Sequence, residues 1–198
     1  MYELIQVAAH TWYIDCPAKM GVVQVNGDGV FLIDSGNDKE AGKKVQKLLD
    51  QNGWRLLAIL NTHSNADHIG GNKLLQERTG CSIYAPGMEA AFTRWPCLEP
   101  SFLYGGYPPK ALRNKFLMAQ PSGVQDLSEL PLPAGMEILP LPGHFFDMVG
   151  VKTPDGVWFL ADCLSGAAIV EKYHVNFIYD VAGYLETLDK VCTLEGRL

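Results

Sequence analysis

Residues 61 to 71 read Asn-Thr-His-Ser-Asn-Ala-Asp-His-Ile-Gly-Gly and place His63, Asp67 and His68, two imidazoles and a carboxylate, within six residues. Neutral imidazole nitrogens beside carboxylate oxygens form a donor set that suits zinc, iron or manganese. Asn65 sits in the middle of the cluster, where an amide has two uses. Its oxygen is a weaker, harder donor than imidazole, which would tilt the site from zinc toward manganese or iron. Alternatively it shapes the loop by hydrogen bonding and touches no metal. The second use is the reading taken from the sequence.

A cluster of this kind needs a rigid element to deliver it. Leu56 to Asn61 is short, apolar and followed by a polar turn, which predicts a buried strand carrying the donors in the loop at its C-terminal end. Upstream, strands are expected at Tyr2 to Val7, Thr11 to Ile14, Val22 to Val25 and Val30 to Asp34, with Asn26-Gly27-Asp28-Gly29 as a hairpin turn. Ala41, Val45, Leu48 and Leu49 recur at helical spacing over Lys39 to Gln51, with Asn37 or Asp38 as the cap. A second helix is expected from Asp67 or His68 to Arg78, stopping at Gly80, and a strand at Ser82 to Ala85. Residues 86 to 131 are rich in aromatics and breakers and read as irregular. That segment is either a lid, with Phe102, Tyr104 and Tyr107 as substrate walls, or a loop packed on its own domain or on an oligomer partner. Strands resume at Met136 to Leu141, Met148 to Thr153 and Val157 to Ala161, and a helix at Val181 to Val191 takes Asp180 as its cap.

The chain has 198 residues, 47% hydrophobic and 19% charged, enough for one sizeable core and a single domain over 1–198. A formal net charge of −6 provides no basic footprint for a phosphate backbone, so nucleic acid is not expected as a partner. No apolar run is long enough to span a membrane and the first residues lack a basic leader, so a soluble cytoplasmic protein is expected. Five widely spaced cysteines fit reduced thiols rather than a disulfide framework.

Two further donors stand in matching contexts: His144 in the Leu141-Pro142-Gly143-His144 turn, and Asp162 at the end of the Val157 to Ala161 strand. With Leu32-Ile33-Asp34-Ser35-Gly36 and Thr62 to Gly71, these motifs follow one another in an order that resembles the metallo-β-lactamase-fold hydrolases, in particular their glyoxalase II-like branch. The resemblance implies an α/β fold, an αββα four-layer sandwich with metals in a cleft along one edge. It also implies up to two divalent metals, zinc first, with manganese or iron as alternatives. His63, the residue at 65, His144 and Asp162 would hold one; Asp67, His68, Asp162 and a last histidine would hold the other. Asp67 would also orient the catalytic water, and Asp34 would fix the loop from behind the ligands.

The chain departs from that pattern twice. Asn65 stands where the middle histidine is expected, and no histidine follows His174. The expectation drawn is a C-terminally shortened form; the alternative completes the second site with water or a neighbouring chain. Cys163 is read as a packed thiol, His174 as an ordinary histidine, and His10 as without a role. The function expected is metal-dependent hydrolysis of a small acyl ester, thioester, lactone or amide. The alternative is a degenerate scaffold with weak or no metal binding and no catalysis. A small-molecule substrate is the partner expected, with no nucleic acid and no membrane, and with a homo-oligomer left open.

Overall fold

The computed structural model describes residues 2–114 and 116–197; Met1 and Leu198, the ends of the expected domain, and Lys115 of the 86–131 segment lie outside the described residues. Four strands open the chain as an antiparallel meander: β1 (Glu3–Ala8), β2 (Thr11–Asp15), β3 (Met20–Asn26) and β4 (Gly29–Ile33). After helix α1 (Lys39–Gln51), capped by the Asp38 carboxylate, β5 (Arg55–Leu60) pairs parallel to β4. Next come α2 (Ala66–Ile69), α3 (Asn72–Thr79), β6 (Ser82–Ala85), α4 (Gly87–Arg94), α5 (Leu98–Tyr104) and the two-residue β7 (Gln125–Asp126). β6 and β7 extend the parallel part of a seven-stranded mixed sheet. A second, antiparallel sheet contains β8 (Glu137–Pro140), β9 (Val149–Lys152) and β10 (Trp158–Phe159), followed by α6 (Ala167–Tyr173) and α7 (Val181–Val191).

The layers follow from which faces are apolar. Every residue of β4 is buried, which is why Gly29–Ile33 reads as an unbroken apolar run. One face of the large sheet, with Val22, Leu32, Ile59 and Ile83, packs on Val45 and Leu49 of α1 and Leu75 of α3. Its other face, with Val23, Phe31, Ile33 and Leu60, meets Val149 and Val151 of β9. The far side of the second sheet packs Leu141, Trp158 and Leu160 against Val191 of α7. Helix, sheet, sheet and helix therefore stack as expected.

Two expectations need correction. The helix predicted over 67–78 is two helices, because Gly70 and Gly71 break it. A Cβ on Gly71 would lie 2.3 Å from the Ser35 carbonyl oxygen, so the chain there presses against the loop after β4. The 86–131 segment is not irregular throughout. It holds α4 and α5, helices of eight and seven residues that bury Glu89 and Glu99 and leave several apolar residues exposed, so no helical periodicity is readable there.

Helix α7 reaches the loop after β8 through one glycine. Gly143 has φ 127°, and a Cβ there would sit 2.4 Å from the backbone nitrogen of Tyr184. The Gly143 carbonyl also accepts from the amides of Tyr179 and Asp180. Gly143→Ala combines a forbidden backbone angle with a backbone clash and should lower unfolding stability by ~2–4 kcal/mol, measured by urea denaturation.

Candidate metal centre

Parallel strands β4, β5 and β6 send their C-terminal ends to one edge, and the first two lead directly into the polar groups of the centre. β4 ends in Asp34, buried and held at φ 59°. Its carboxylate accepts from the Thr62 amide at 2.8 Å, the Thr62 hydroxyl at 2.7 Å and His68 Nδ1 at 2.8 Å. Asp tolerates the left-handed region better than most residues, and three donors on one carboxylate hold it there. The loop after β5 is thereby fixed behind His63 and His68.

Each of the three histidines is oriented from behind. His63 Nδ1 lies 3.1 Å from Thr62 Oγ1, whose proton already goes to Asp34, so the ring donates and its Nε2 keeps a lone pair. His68 Nδ1 donates to Asp34, and His144 Nδ1 donates to the Phe177 carbonyl at 2.8 Å. All three Nε2 atoms are therefore left free of the groups behind them. His63 Nε2 is fully buried with no hydrogen-bond partner. Ligand atoms of His63, His144 and Asp162 lie within 4.8 Å of one another.

Asp162 follows Ala161, which takes φ 47°, and its carboxylate points back at the rings, Oδ1 3.3 Å from His68 Nε2 and Oδ2 3.7 Å from His144 Nε2. Asp67 is half-exposed, with Oδ2 4.0 Å from His68 Nε2. His63, His144 and Asp162 thus form the tight group, while His68 and Asp67 adjoin it through Asp162 and through each other. His174 and His10 stay on the surface, and Cys163 is packed in the α7 core with its thiol pushed by burial up to about 11.

The electrostatics fit a bound cation. Burial, then the neighbouring His68, holds His63 well below the usual imidazole range, and burial also lowers His144. Burial opposes charge on His68 too, but Asp34 and Asp162 outweigh it and raise that ring. Burial would raise Asp162, yet His68, His63 and His144 hold it below the carboxylate range. A buried lone pair with no partner, beside a carboxylate that stays ionised, suits a divalent metal.

Two buried glutamates were missed by the sequence reading, and nothing in their spacing signals them. Glu89 of α4, fully buried, accepts from the Ser64 amide at 3.0 Å, the Ser64 hydroxyl at 2.5 Å and the Asp147 amide at 2.9 Å. It clamps the His63 loop to the His144 loop. Glu99 of α5 accepts from Asn65 Nδ2 at 2.9 Å and from the Ala66 amide at 3.0 Å. Burial pushes Glu89 up to about 7 and Glu99 up to about 8. The aromatic wall also differs from expectation. Phe102 packs with Phe145, Phe146 and Tyr179, whereas Tyr104 is exposed and Tyr107 lies under Arg113.

The Metallo-beta-lactamase superfamily pattern matches residues 13–194. The chain belongs to the metallo-β-lactamase superfamily. Among superfamily relatives, the chain is 29% identical to "Probable metallo-hydrolase YybB" of Bacillus subtilis over 71% of this chain and 56% of that one. It is 46% identical to hydroxyacylglutathione hydrolase of Methylococcus capsulatus over 23% of this chain and 18% of that one. The matches thus span about half of the first relative and under a fifth of the second. Among solved structures, BJP-1, a subclass B3 metallo-beta-lactamase of Bradyrhizobium japonicum, superposes with TM-score 0.72 at 18% identity, over 98% of this chain and 75% of that one. TTHA1623 in a di-iron-bound form gives TM-score 0.64 at 25% identity, over 91% and 84%.

Glu89 sets a pH dependence. Its folded value lies above the unfolded carboxylate value, so its contribution to stability is present at low pH and is lost as pH rises from about 4.5 through about 7. Metal-free wild type minus Glu89→Gln should therefore lose on the order of 2 kcal/mol of unfolding free energy between pH 5 and pH 8, measured by urea titration at each pH. Glu89→Ala strands the buried Ser64 amide and hydroxyl and the part-buried Asp147 amide and should cost ~2–4 kcal/mol at pH 5.

Proposed function

We propose that this chain is a metal-dependent hydrolase of a small acyl ester, thioester, lactone or amide. The observation that carries the reading is the convergence of the His63, His68 and His144 Nε2 atoms around Asp162, with His63 Nε2 buried and unpartnered. His63, His144 and Asp162 would hold one divalent metal, and His68, Asp67 and Asp162 a second; zinc is the first choice, with iron or manganese as alternatives. A divalent metal so held would lower the pKa of water toward neutrality and polarise an acyl oxygen.

The chain's own groups do the rest. Asp67, half-exposed beside His68, would accept a proton from the attacking water and orient it. Asp34 keeps His68 turned inward, and the Phe177 carbonyl does the same for His144. Phe102, Phe177 and Tyr179, each roughly half-exposed on the His144 side, offer an apolar wall for an acyl group. The short stretches shared with hydroxyacylglutathione hydrolases favour a thioester within the acyl class.

Protein purified without chelator should carry metal by elemental analysis and should hydrolyse members of a panel of thioesters, lactones, amides and a chromogenic β-lactam. Chelator should abolish turnover and zinc or manganese should restore it. A metal-loaded chain that turns over none of them would sink the acyl reading, and a chain that takes up no metal would establish the scaffold alternative. Asp34→Asn should weaken metal binding by ~10–100-fold, read by competition with a chromogenic chelator. Phe102→Ala should raise KM for apolar acyl substrates several-fold while kcat changes less, consistent with loss of an apolar contact worth roughly 1–2 kcal/mol.

A further inference from the structure

Asn65 departs from the superfamily pattern, and its surroundings decide which end of the amide faces the pocket. The side chain does not cap α2, the usual use of asparagine at such a position. Its Nδ2 donates to Glu99 Oε1 at 2.9 Å, and its Oδ1 lies 3.1 Å from His144 Nε2. The other Glu99 oxygen is taken by the Ala66 amide. His144 Nδ1 is already committed to the Phe177 carbonyl. With the ring in its neutral, metal-binding tautomer, two acceptor lone pairs, Nε2 and Oδ1, therefore face each other with no proton to share. Two acceptors converging beside Asp162 and the unpartnered His63 Nε2 are satisfied together by a cation.

We propose that Glu99 is a positioning residue that turns the amide of Asn65 so that its oxygen, and not its nitrogen, faces the metal, making Asn65 a donor in the first position. This rests on the metal-site reading above. It reverses the sequence-based reading in which Asn65 only shapes the loop, and it gives α5, in the segment between β6 and β7, a role in the centre. Glu99 reaches the site from 34 residues away and is nearly fully buried, so both carboxyl oxygens are held by these two donors rather than by solvent.

The pairing predicts its own inversion. In Glu99→Gln, the oxygen of the introduced amide keeps the Ala66 amide and its nitrogen faces Asn65, so the Asn65 amide must turn over and present its NH2 to the pocket. In Asn65→Asp, two carboxylates abut. When Asn65→Asp and Glu99→Gln are combined, the introduced glutamine donates to one oxygen of the introduced aspartate, and the other oxygen faces the metal again.

The test is zinc affinity by competition with a chromogenic chelator, zinc stoichiometry by elemental analysis, and the visible spectrum of the cobalt(II)-loaded protein, none of which requires turnover. E99Q should lose ~10–100-fold in zinc affinity, the range for outer-shell partners of metal ligands, with an altered cobalt spectrum. The double variant should recover at least about tenfold of that loss, the interaction signature of a coupled pair. E99Q binding zinc like wild type, with an unchanged cobalt spectrum, would overturn the proposal, because the orientation of the Asn65 amide would then not depend on Glu99. A double variant no tighter than E99Q would overturn it as well. If E99Q does not fold, the double variant decides alone: near wild-type affinity supports the pairing, and lost affinity overturns it. Wild type binding no zinc, cobalt, manganese or iron removes the metal reading itself, an outcome distinct from wild type binding and E99Q binding equally.

Discussion

The centre hangs on one buried carboxylate. Asp34 takes the Thr62 amide, the Thr62 hydroxyl and the His68 ring, and through Thr62 it also sets the tautomer of His63. A single anion thus fixes the loop path, two ring orientations and which nitrogen of each ring faces inward. It sits at the end of β4, a strand buried along its whole length, in a left-handed conformation that the loop would not adopt without those bonds. Low dielectric strengthens each bond and makes loss of any of them expensive.

The two sheets supply the other half of the site and must be held in register at that edge. The Val149 amide donates to the Thr62 carbonyl, joining the start of β9 to the donor loop. Glu89 performs the same office from α4, binding Ser64 on one side and Asp147 on the other, while Asp147 in turn accepts the Met88 amide at the start of that helix. The His144 loop is therefore anchored from the large sheet, from α4 and from α7, and Gly143 is what allows α7 close enough. Preorganisation of this kind is what a metal centre requires, since ligands that must search for their positions bind weakly.

Carboxylates surround the imidazoles at two depths. Asp162 and Asp67 border the open side, and Asp34, Glu89 and Glu99 lie behind, each bound to a loop that carries donors. The outer pair faces the imidazole Nε2 atoms, and the inner three hold the loops that carry those rings. The aromatic cluster of Phe102, Phe145, Phe146 and Tyr179 closes one flank, with Phe145 fully buried beneath the more exposed rings. The same segment that carries Phe102 also carries Glu99, so the wall and the orientation of Asn65 come from one helix, α5.

Local sequence determined much of this molecule. The buried run Leu56 to Leu60 and the capped helices Lys39–Gln51 and Val181–Val191 were legible because periodicity and capping act over a few residues, and the imidazoles and carboxylates of Thr62 to Gly71, His144 and Asp162 stood out by residue type. Gly70 and Gly71 were visible as residues but not as a helix break, since what they avoid is the backbone at Ser35 and Asn37, far along the chain. Glu89 and Glu99 could not be read at all. A glutamate in a short, aromatic-rich segment looks like a surface residue until the fold buries it against Ser64 or Asn65, and its partner is 25 or 34 residues distant. The sequence by itself placed an asparagine in the cluster; only the tertiary structure decided which way its amide faces, because that depends on a carboxylate delivered across space and not along the chain.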